Sequence, residues 1–445
     1  MSANTGKARA SASKPLEGSA TAPGDKSISH RALVLGALAR GETQICSLLN
    51  GDDVVRTAAA MRSLGASVEC EKTDRGPVWR VRGADWRSPE RVLYFGNSGT
   101  GARLVMGAVA GQGIAAHFDG DASLRRRPMA RVLDPLRAMG VCVEDRDGAL
   151  PVAIRAERPL KALDFSLPMP SAQIKSAVLL AGLGAWGETI IRESEPSRDH
   201  TERMLKAFGA EITVASEGGG RTVRLKGPQR LKCAEVEIPG DPSSAAFLAA
   251  AALIVPGSDV SIRNVCVNPL RIGFYETALE MGAAIAFENE RTIFGEPVAD
   301  IRVRHSRLKA VAVPASRAPS MIDEYPILAV LAAFAKGETR MEGLSELRVK
   351  ESDRLAAVEA GLKVNGVAAK SGPGWLKVSG AGGKVAGGGI VATRADHRIA
   401  MSFLVMGLAS RGAIEIDDQS MIATSFPGFI STMSALRADI SAAPS

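Results

Sequence analysis

The residues most able to do chemistry lie in a short turn before an apolar helix. The stretch PGDKSISHRALVLGALA places Lys26, Ser27, His30 and Arg31 where this helix is predicted to begin. A helix N-terminus already carries about half a positive charge, so additional cations there are favourable only when an anion binds. The turn therefore predicts a binding site for an anionic ligand.

Five further turns of small and polar residues precede apolar helices in the same way. They are GNSGTG (96–101), PMPSAQ (168–173), PGDPSS (239–244), APSMID (318–323) and RADHR (394–398). The cations in or near the six turns are Lys26, Arg31, Arg103, Lys175, Arg394 and Arg398, and loops add Arg127, Arg198, Lys350 and Arg354. One phosphate monoester needs fewer cations, so we expect two anionic substrates or one with several acidic groups.

Two acidic segments interrupt this positive pattern. Asp323 and Glu324 lie at one helix start, and KESDR brings Glu351 close to Lys350 and Arg354. One or two carboxylates in a cationic site are what proton transfer requires. The alternative for KESDR is a capping turn, with Ser352 or Asp353 as the cap and ion pairs on the surface.

Structural roles are also open for single residues in the turns. The candidate N-caps are Ser27, Ser98, Ser171, Ser243, Asp199 and Asp396. Arg103 and Lys175 are candidates for solvated side chains or for partners of carboxylates. The first turn of a helix usually favours acidic residues. Because these helix starts carry cations instead, the cations taken together indicate a binding site for an anion.

The turns divide the chain into six similar segments of roughly 70–80 residues, longer than solenoid repeats. Each reads as strand, buried helix, strand, amphipathic helix and strand, and TAAAMRSLGASVE shows the glycine that ends the second helix. Three segments per domain are expected, with residues 226–232 as a linker. The alternative is one doubly wound sheet.

Composition excludes several classes of function. The formal charge is 55 − 48 = +7, but it is dispersed and aromatics make up only 4%, which argues against nucleic-acid binding. The five cysteines and five histidines show no metal-ligand spacing. We expect a cytoplasmic protein with no metal, membrane segment or targeting signal, and a disordered segment at residues 1–14.

The strongest motifs resemble one family. PGDKSISHRA, GNSGTGAR, RRPM, PSAQIKSA, IDEYP, RVKESDRL and DHRIAM are similar, in this order, to motifs of 5-enolpyruvylshikimate-3-phosphate synthases, from about Leu16 to Ile440. PMPSAQIKSAVLLAGL and MIATSFP resemble the bacterial class that has Ser-Ala-Gln rather than Ser-Ser-Gln. The resemblance implies an α/β fold of two similar domains, each with three βαβαββ units around buried parallel helices, an inside-out α/β barrel. The domains would be 23–237 and 1–22 plus 238–445, with the active site in the cleft between them.

The family transfers the enolpyruvyl group of phosphoenolpyruvate to the 5-hydroxyl of shikimate 3-phosphate, without a cofactor or metal, and we expect a monomer. The resemblance assigns shikimate 3-phosphate to Lys26, Ser27, Arg31, Ser171, Ala172, Gln173, Arg198, Asp323 and Lys350. It assigns phosphoenolpyruvate to Lys26, Gly99, Arg127, Gln173, Arg354 and Arg398. The catalytic residues it implies are Lys26 and Glu351 for the C3 proton and Asp323 for the hydroxyl.

The sequence departs from the family pattern at two positions. Thr424 stands where many members have lysine, and Ala172 replaces a serine. Gly99 is the usual small residue beside phosphoenolpyruvate, where the inhibitor glyphosate also binds, so the chain is expected to be glyphosate-sensitive. A related rival, the UDP-N-acetylglucosamine enolpyruvyl transferase, usually has a cysteine in the loop that here reads GDASLRRRPM.

Overall fold

A computed structural model describes residues 6–74 and 76–443. The α-helices are α1 Lys26–Leu38, α2 Asp52–Ser63, α3 Gly99–Gln112, α4 Ala122–Arg125, α5 Ala130–Ala138, α6 Ala172–Gly182, α7 His200–Ala207, α8 Pro242–Ile254, α9 Gly273–Glu280, α10 Ala318–Met321, α11 Tyr325–Phe334, α12 Arg354–Val364, α13 His397–Gly407 and α14 Phe429–Ala435. Short 3-10 helices span Ala315–Arg317, Ser345–Val349 and Ser420–Thr424.

The strands follow the same alternation along the chain. They are β1 Ala8–Ala10, β2 Glu17–Thr21, β3 Ala39–Arg40, β4 Glu42–Cys46, β5 Ser67–Thr73, β6 Gly76–Arg82, β7 Leu93–Tyr94, β8 Ala115–Asp119, β9 Cys142–Arg146, β10 Ala149–Arg155, β11 Leu160–Lys161, β12 Asp164–Ser166, β13 Ala185–Glu193, β14 Ile212–Glu217, β15 Gly220–Gly227, β16 Leu231–Lys232, β17 Glu235–Glu237, β18 Asp259–Cys266, β19 Ala284–Ile293, β20 Glu296–Arg304, β21 Ala312–Val313, β22 Lys336–Glu342, β23 Ala369–Ser371, β24 Trp375–Ala381, β25 Ile390–Val391, β26 Ile414–Ile416 and β27 Ile440–Ala442.

The chain divides into two compact units. Unit I comprises the residues up to Pro23, Pro239–Arg291 and the residues from Pro297, and unit II comprises Gly24–Ile238 with Thr292–Glu296. The predicted linker at 226–232 lies inside unit II and does not join the two units, because residues 226–227 end β15 and residues 231–232 form β16. The prediction also placed 292–296 with unit I. These residues belong to unit II, where Phe294 packs edge-on against Phe208.

Six sheets repeat one topology. In each, a short strand lies parallel to a second strand, the second is antiparallel to a third, and a fourth pairs with the far edge of the third. The strand orders are β17-β4-β6-β5, β7-β8-β10-β9 and β12-β13-β15-β14 in unit II, and β2-β18-β20-β19, β21-β22-β24-β23 and β25-β26-β1-β27 in unit I. The strand β11 also pairs with β13, and β3 pairs with β16. Buried and accessible residues alternate along strands such as β10, so one sheet face packs on the core.

The helices that follow the six turns form the cores of the units. Every residue of α8 is buried, as expected for a helix that is apolar on all sides. The helices α3 and α6 pack closely through glycines. A Cβ atom built on Gly107 would lie 2.2 Å from the oxygen of Ala177, and one on Gly111 would lie 2.5 Å from that of Leu180. Residue numbers increase in the same direction in both helices along this contact. The two helices are therefore parallel, and their N-termini lie at the same end of unit II.

The N-terminal segment contradicts the prediction of disorder at residues 1–14. Residues 1–5 lie outside the described part of the chain, but β1 pairs antiparallel with β26 on one side and with β27 on the other. Ala8 and Ala10 are fully buried. A three-residue strand of alanine and arginine carries no sequence signal for a strand, because the pairing with distant strands creates it. Within the described residues, no helix is both long enough and apolar enough to cross a membrane.

Candidate active site

The first turn of α1 is organised by Asp25 rather than by Ser27. The Asp25 carboxylate accepts a hydrogen bond of 2.8 Å from the amide of Ile28, so Asp25 is the N-cap and Ser27 lies inside the helix. The ammonium of Lys26 forms an ion pair with Asp53 of α2, and the Lys26 side chain remains 20% exposed. This pair fixes a lysine at a helix N-terminus whose first turn contains no acidic residue.

Arg31, one turn further along α1, is held on three sides. Its Nη1 donates to the carbonyl of Ser27 at 2.8 Å, its Nη2 to Ser176 at 2.7 Å, and its Nε to Thr201 at 2.7 Å. Burial lowers the pKa of Arg31 to about 10, which leaves the guanidinium charged at neutral pH. A buried, permanently charged fork is suited to a carboxylate or phosphate.

Two arginines, Arg103 and Arg127, lie beside Gly99 at the start of α3. Ser98 is the N-cap and accepts a hydrogen bond from the amide of Gly101, so this candidate N-cap is confirmed. Arg127 donates to the side chain of Asn97. A Cβ atom built on Gly99 would lie 3.2 Å from Arg127 Nη1. Glycine thus leaves the approach to this guanidinium open.

The start of α6 carries an amide in a fixed orientation. Ser171 is the N-cap and its Oγ accepts from the amide of Ile174. The Gln173 oxygen accepts from Arg103 at 2.7 Å, and the Gln173 nitrogen donates to Thr100 of α3 at 2.9 Å. Arg103 is therefore a partner of Gln173 rather than a solvated side chain.

Unit II brings together the site residues that the sequence assigned to it. Arg198 lies close enough to Arg31 for its charge to act on that guanidinium. Contacts among α1, α3, α6 and the loop before α7 connect this cluster of unit II, whose predicted members are Lys26, Ser27, Arg31, Gly99, Arg127, Ser171, Ala172, Gln173 and Arg198.

Unit I contains a second cluster of predicted site residues, centred on Arg354. This guanidinium is 1% exposed and contacts three carboxylates. Its Nε lies 2.8 Å from Asp396, its Nη1 lies 3.2 Å from Asp323, and its Nη2 donates to Glu351. Burial alone would lower the pKa of Arg354, but the three carboxylates raise it above its usual value.

Two further cations converge on Asp323. The ammonium of Lys350 lies 3.6 Å from Asp323 Oδ1, and Arg398 Nη1 donates to the Asp323 carbonyl at 3.2 Å. Asp396 caps α13 by accepting from the amide of Arg398, as expected. All five predicted site residues of unit I, Asp323, Lys350, Glu351, Arg354 and Arg398, are therefore connected through one cluster.

The capping alternative for KESDR is correct in one respect. Asp353 is the N-cap of α12 and accepts from the amide of Ala356 at 3.0 Å. However, Ser352 donates to the buried Asp396 rather than capping, and Arg354 is not in a surface ion pair. The motif combines a helix cap with a buried ionic cluster.

Sequence reasoning missed a third ionic group, at the start of α8. Arg271, 2% exposed, donates to Asp241 at 3.2 Å and to Ser243 at 3.1 Å, while Ser243 also donates to Glu324. Asp241 is the N-cap here, so Ser243 is not. Arg271 had no sequence signal, because it lies in a loop that contains none of the recognised motifs.

Three remaining expectations concern metal ligands, Thr424 and Asp199. The described residues contain no group of three or more His, Cys, Asp or Glu side chains that could hold a metal ion. Thr424 lies in a 3-10 helix and its hydroxyl donates to the carbonyl of Met421 at 2.7 Å. Asp199, a predicted cap, makes no capping bond and instead pairs with Arg203 and Arg221.

Comparisons with known proteins identify one family of relatives. The family model described as EPSP synthase (3-phosphoshikimate 1-carboxyvinyltransferase) matches residues 10–433. A 3-phosphoshikimate 1-carboxyvinyltransferase of Methylorubrum extorquens is 58% identical over 434 residues, covering 96% of this chain and 95% of the relative. The enzyme of the same name from Parvibaculum lavamentivorans is 55% identical over 427 residues, covering 95% and 94%. A solved EPSP synthase from Acinetobacter baumannii superposes with a TM-score of 0.86 at 40% identity, covering 99% of this chain and 100% of that one.

These matches confirm the predicted fold class and the predicted enzyme class. They span nearly the whole chain, so neither a single doubly wound sheet nor a nucleic-acid binder remains as an alternative. The activity is transfer of the enolpyruvyl group from phosphoenolpyruvate to shikimate 3-phosphate, in aromatic amino-acid biosynthesis. The chain belongs to the EPSP synthase (3-phosphoshikimate 1-carboxyvinyltransferase) family.

Proposed function

We propose that the clusters of unit II and unit I are two half-sites that divide the work of this reaction. The half-site of unit II would bind the anionic groups of the substrates, because it combines three helix starts with Lys26, Arg31, Arg127 and Arg198. The half-site of unit I would supply the groups that move protons, because it combines Asp323 and Glu351 with cations. The observation that carries this division is the Arg354 cluster, which holds both carboxylates around one buried guanidinium.

In the proposed binding roles, guanidinium forks and helix N-termini hold phosphate and carboxylate oxygens. Shikimate 3-phosphate would be bound by Ser27, Arg31, Ser171, Ala172, Gln173 and Arg198, and its hydroxyls by Asp323 and Lys350. Phosphoenolpyruvate would be bound by Gly99, Arg127, Gln173, Arg354 and Arg398. Lys26 would contact both substrates, and its pairing with Asp53 supports a fixed position for its ammonium.

The chemistry would proceed by addition and elimination. The 5-hydroxyl oxygen attacks C2 of phosphoenolpyruvate, the hydroxyl proton passes to Asp323, and C3 receives a proton from Glu351 or Lys26. The C3 proton of the resulting tetrahedral ketal returns to the group that supplied it, C2 loses phosphate, and the double bond is restored. The leaving phosphate takes up the proton held by Asp323, so the protein groups end in their starting states. Asp323 is suited to the hydroxyl because its carboxylate is held between Arg354 and Lys350.

Substitution of Asp323 tests these roles. Asp323→Asn should lower kcat by about 10²–10⁴-fold, the usual contribution of one general acid or base, while the KM for phosphoenolpyruvate changes little. The matched control is Asp259→Asn, which removes a carboxylate from an exposed ion pair of unit I with Arg302. A kcat of Asp323→Asn equal to that of the control would contradict the proposed role.

Two further points have their own tests: which molecule accepts the enolpyruvyl group, and whether the protein is a monomer. UDP-N-acetylglucosamine in place of shikimate 3-phosphate should release no phosphate. We also propose that the protein is a monomer in a reducing cytoplasm. The exposed thiols of Cys70, Cys142 and Cys233, which form no disulfide, support the reducing compartment. Light scattering coupled to size-exclusion chromatography should give the mass of one chain, and a dimer mass would contradict the monomer.

A further inference from the structure

Unit II contains a fully buried ionic cluster that none of the proposed substrate contacts includes. Lys175 Nζ lies 2.8 Å from Glu193 Oε2 and 2.7 Å from Glu202 Oε1. The three side chains are 0%, 0% and 3% exposed. Placing one ammonium and two carboxylates in a protein core costs several kcal/mol per ion before their attraction is counted, so stability alone does not explain the cluster.

The cluster connects α6, the end of β13 and α7 around one loop. Lys175 lies in α6, Glu193 is the last residue of β13, and Glu202 lies in α7. The loop 194–199 between β13 and α7 carries Arg198. The cluster therefore surrounds the two ends of the segment that presents this arginine.

Two of these side chains, Glu193 and Lys175, hold the residue before Arg198. Glu193 Oε1 accepts from the amide of Ser197 at 3.1 Å and from its hydroxyl at 2.5 Å. Lys175 Nζ donates to the Ser197 carbonyl at 3.2 Å. Both polar groups of the Ser197 main chain are thus fixed by the cluster, immediately before Arg198.

Arg31 is connected to the cluster from the other side. The residues that follow Lys175 and precede Glu202, Ser176 and Thr201, receive the Nη2 and Nε hydrogen bonds of Arg31, and their hydroxyls lie 2.6 Å apart. The charge of Glu202 also acts on Arg31, favouring its protonated form. Arg31 is therefore linked to the cluster through two hydroxyl groups and through the charge of Glu202.

We propose that Lys175, Glu193 and Glu202 are positioning residues that set Arg198 and Arg31 for the anionic groups of shikimate 3-phosphate. The inference rests on the proposed binding roles of these two arginines. The cluster acts by fixing the main chain at Ser197 and the guanidinium of Arg31, and it touches no substrate atom itself.

The test removes Lys175 together with both of its carboxylates, so that none of these three groups is left buried without its partner. Arg31 loses the nearby charge of Glu202 but keeps its hydrogen bonds to Ser27, Ser176 and Thr201. The variant is Lys175→Met/Glu193→Leu/Glu202→Met. It should fold, raise the KM for shikimate 3-phosphate by roughly 10–100-fold, the range for losing one charge-assisted hydrogen bond, and leave the KM for phosphoenolpyruvate within about twofold. Calorimetric titration with shikimate 3-phosphate should show the same loss of affinity.

The matched control removes an exposed ion pair that also involves β13. Arg192 and Asp164 pair at 2.8 Å at the surface, so Arg192→Gln/Asp164→Asn should leave both KM values unchanged. The conservative variant Lys175→Arg keeps the positive charge but displaces its donors. It should fold with a near-normal thermal midpoint and show a smaller rise in the KM for shikimate 3-phosphate.

The outcomes separate this inference from the proposed function. If the triple variant folds and binds shikimate 3-phosphate as the wild type does, the positioning role is wrong. If the triple variant does not fold, an unchanged KM of Lys175→Arg for shikimate 3-phosphate refutes the role, and a selective rise supports it. Failure of the wild type to bind shikimate 3-phosphate would instead overturn the proposed function.

Discussion

Replacing Arg354 with methionine should destabilise the protein in a way that depends on pH. The substitution leaves Asp323, Glu351 and Asp396 near one another without the guanidinium that contacts all three. Removal of one partner from a buried ion pair costs about 3–5 kcal/mol. Because Arg354 is 1% exposed, solvent cannot replace it, and we expect this full loss in the free energy of unfolding at neutral pH.

The pH dependence follows from Asp396. In the wild type, burial acts to raise the pKa of Asp396, but Arg354 brings it below its usual value. Its contribution to stability is therefore present above about pH 4, the usual carboxyl pKa, and is lost as the pH falls through the lowered pKa. Without Arg354, burial and the charge of Glu351 raise this pKa. The folded variant then binds a proton more tightly than the unfolded chain, so it loses stability as the pH rises above about 4.

The assay is urea unfolding at pH 4.5 and pH 8, followed by circular dichroism. The difference in unfolding free energy between wild type and Arg354→Met should be largest at pH 8 and smaller at pH 4.5. Arg302→Met is the matched control, since Arg302 forms an exposed pair with Asp259 in the same unit, and its urea midpoint should stay near that of the wild type. An Arg354→Met midpoint equal to the control, or a deficit that grows towards acid pH, would refute the reasoning.

Two more predictions concern residues of unit II. Gly99→Ala would place a Cβ atom 3.0 Å from Arg103 Nη1 and 3.2 Å from Arg127 Nη1. It should raise the KM for phosphoenolpyruvate modestly and weaken inhibition by the longer glyphosate more strongly. Wild-type enzyme that resists millimolar glyphosate would contradict this view of Gly99 and direct attention to Thr424. Burial, with the charges of Lys26 and Arg31, lowers the pKa of His30 well below 6.5. The unfolded chain therefore binds the additional proton, so wild-type stability should fall as the pH drops below 6.5. In His30→Gln the thermal midpoint should change less between pH 7 and pH 5 than in the wild type. If the midpoint depends on pH as strongly as in the wild type, His30 is not the group responsible.

The sequence predicted the six buried helices well because each begins in a turn with its own chemical signature. The residue that caps each helix was harder to predict. In PGDKS and PGDPS both the aspartate and the serine are good caps by type. The structure selects Asp25 and Asp241, whose extended main chain allows their side chains to accept from the following amides.

The ionic clusters could not be paired from one sequence. Arg354 and Asp396 are 42 positions apart, and Arg31 and Thr201 are 170 apart. Only the packing of helices from different repeats brings such residues within hydrogen-bond distance. Their residue types indicated charged sites, whereas their partners depend on the fold.

The most direct test of the proposed function is phosphate release by the purified protein. With both shikimate 3-phosphate and phosphoenolpyruvate present, one inorganic phosphate should appear for each shikimate 3-phosphate consumed, and Asp323→Ala should abolish most of this release. Release from phosphoenolpyruvate alone, or no release with both substrates, would contradict the account.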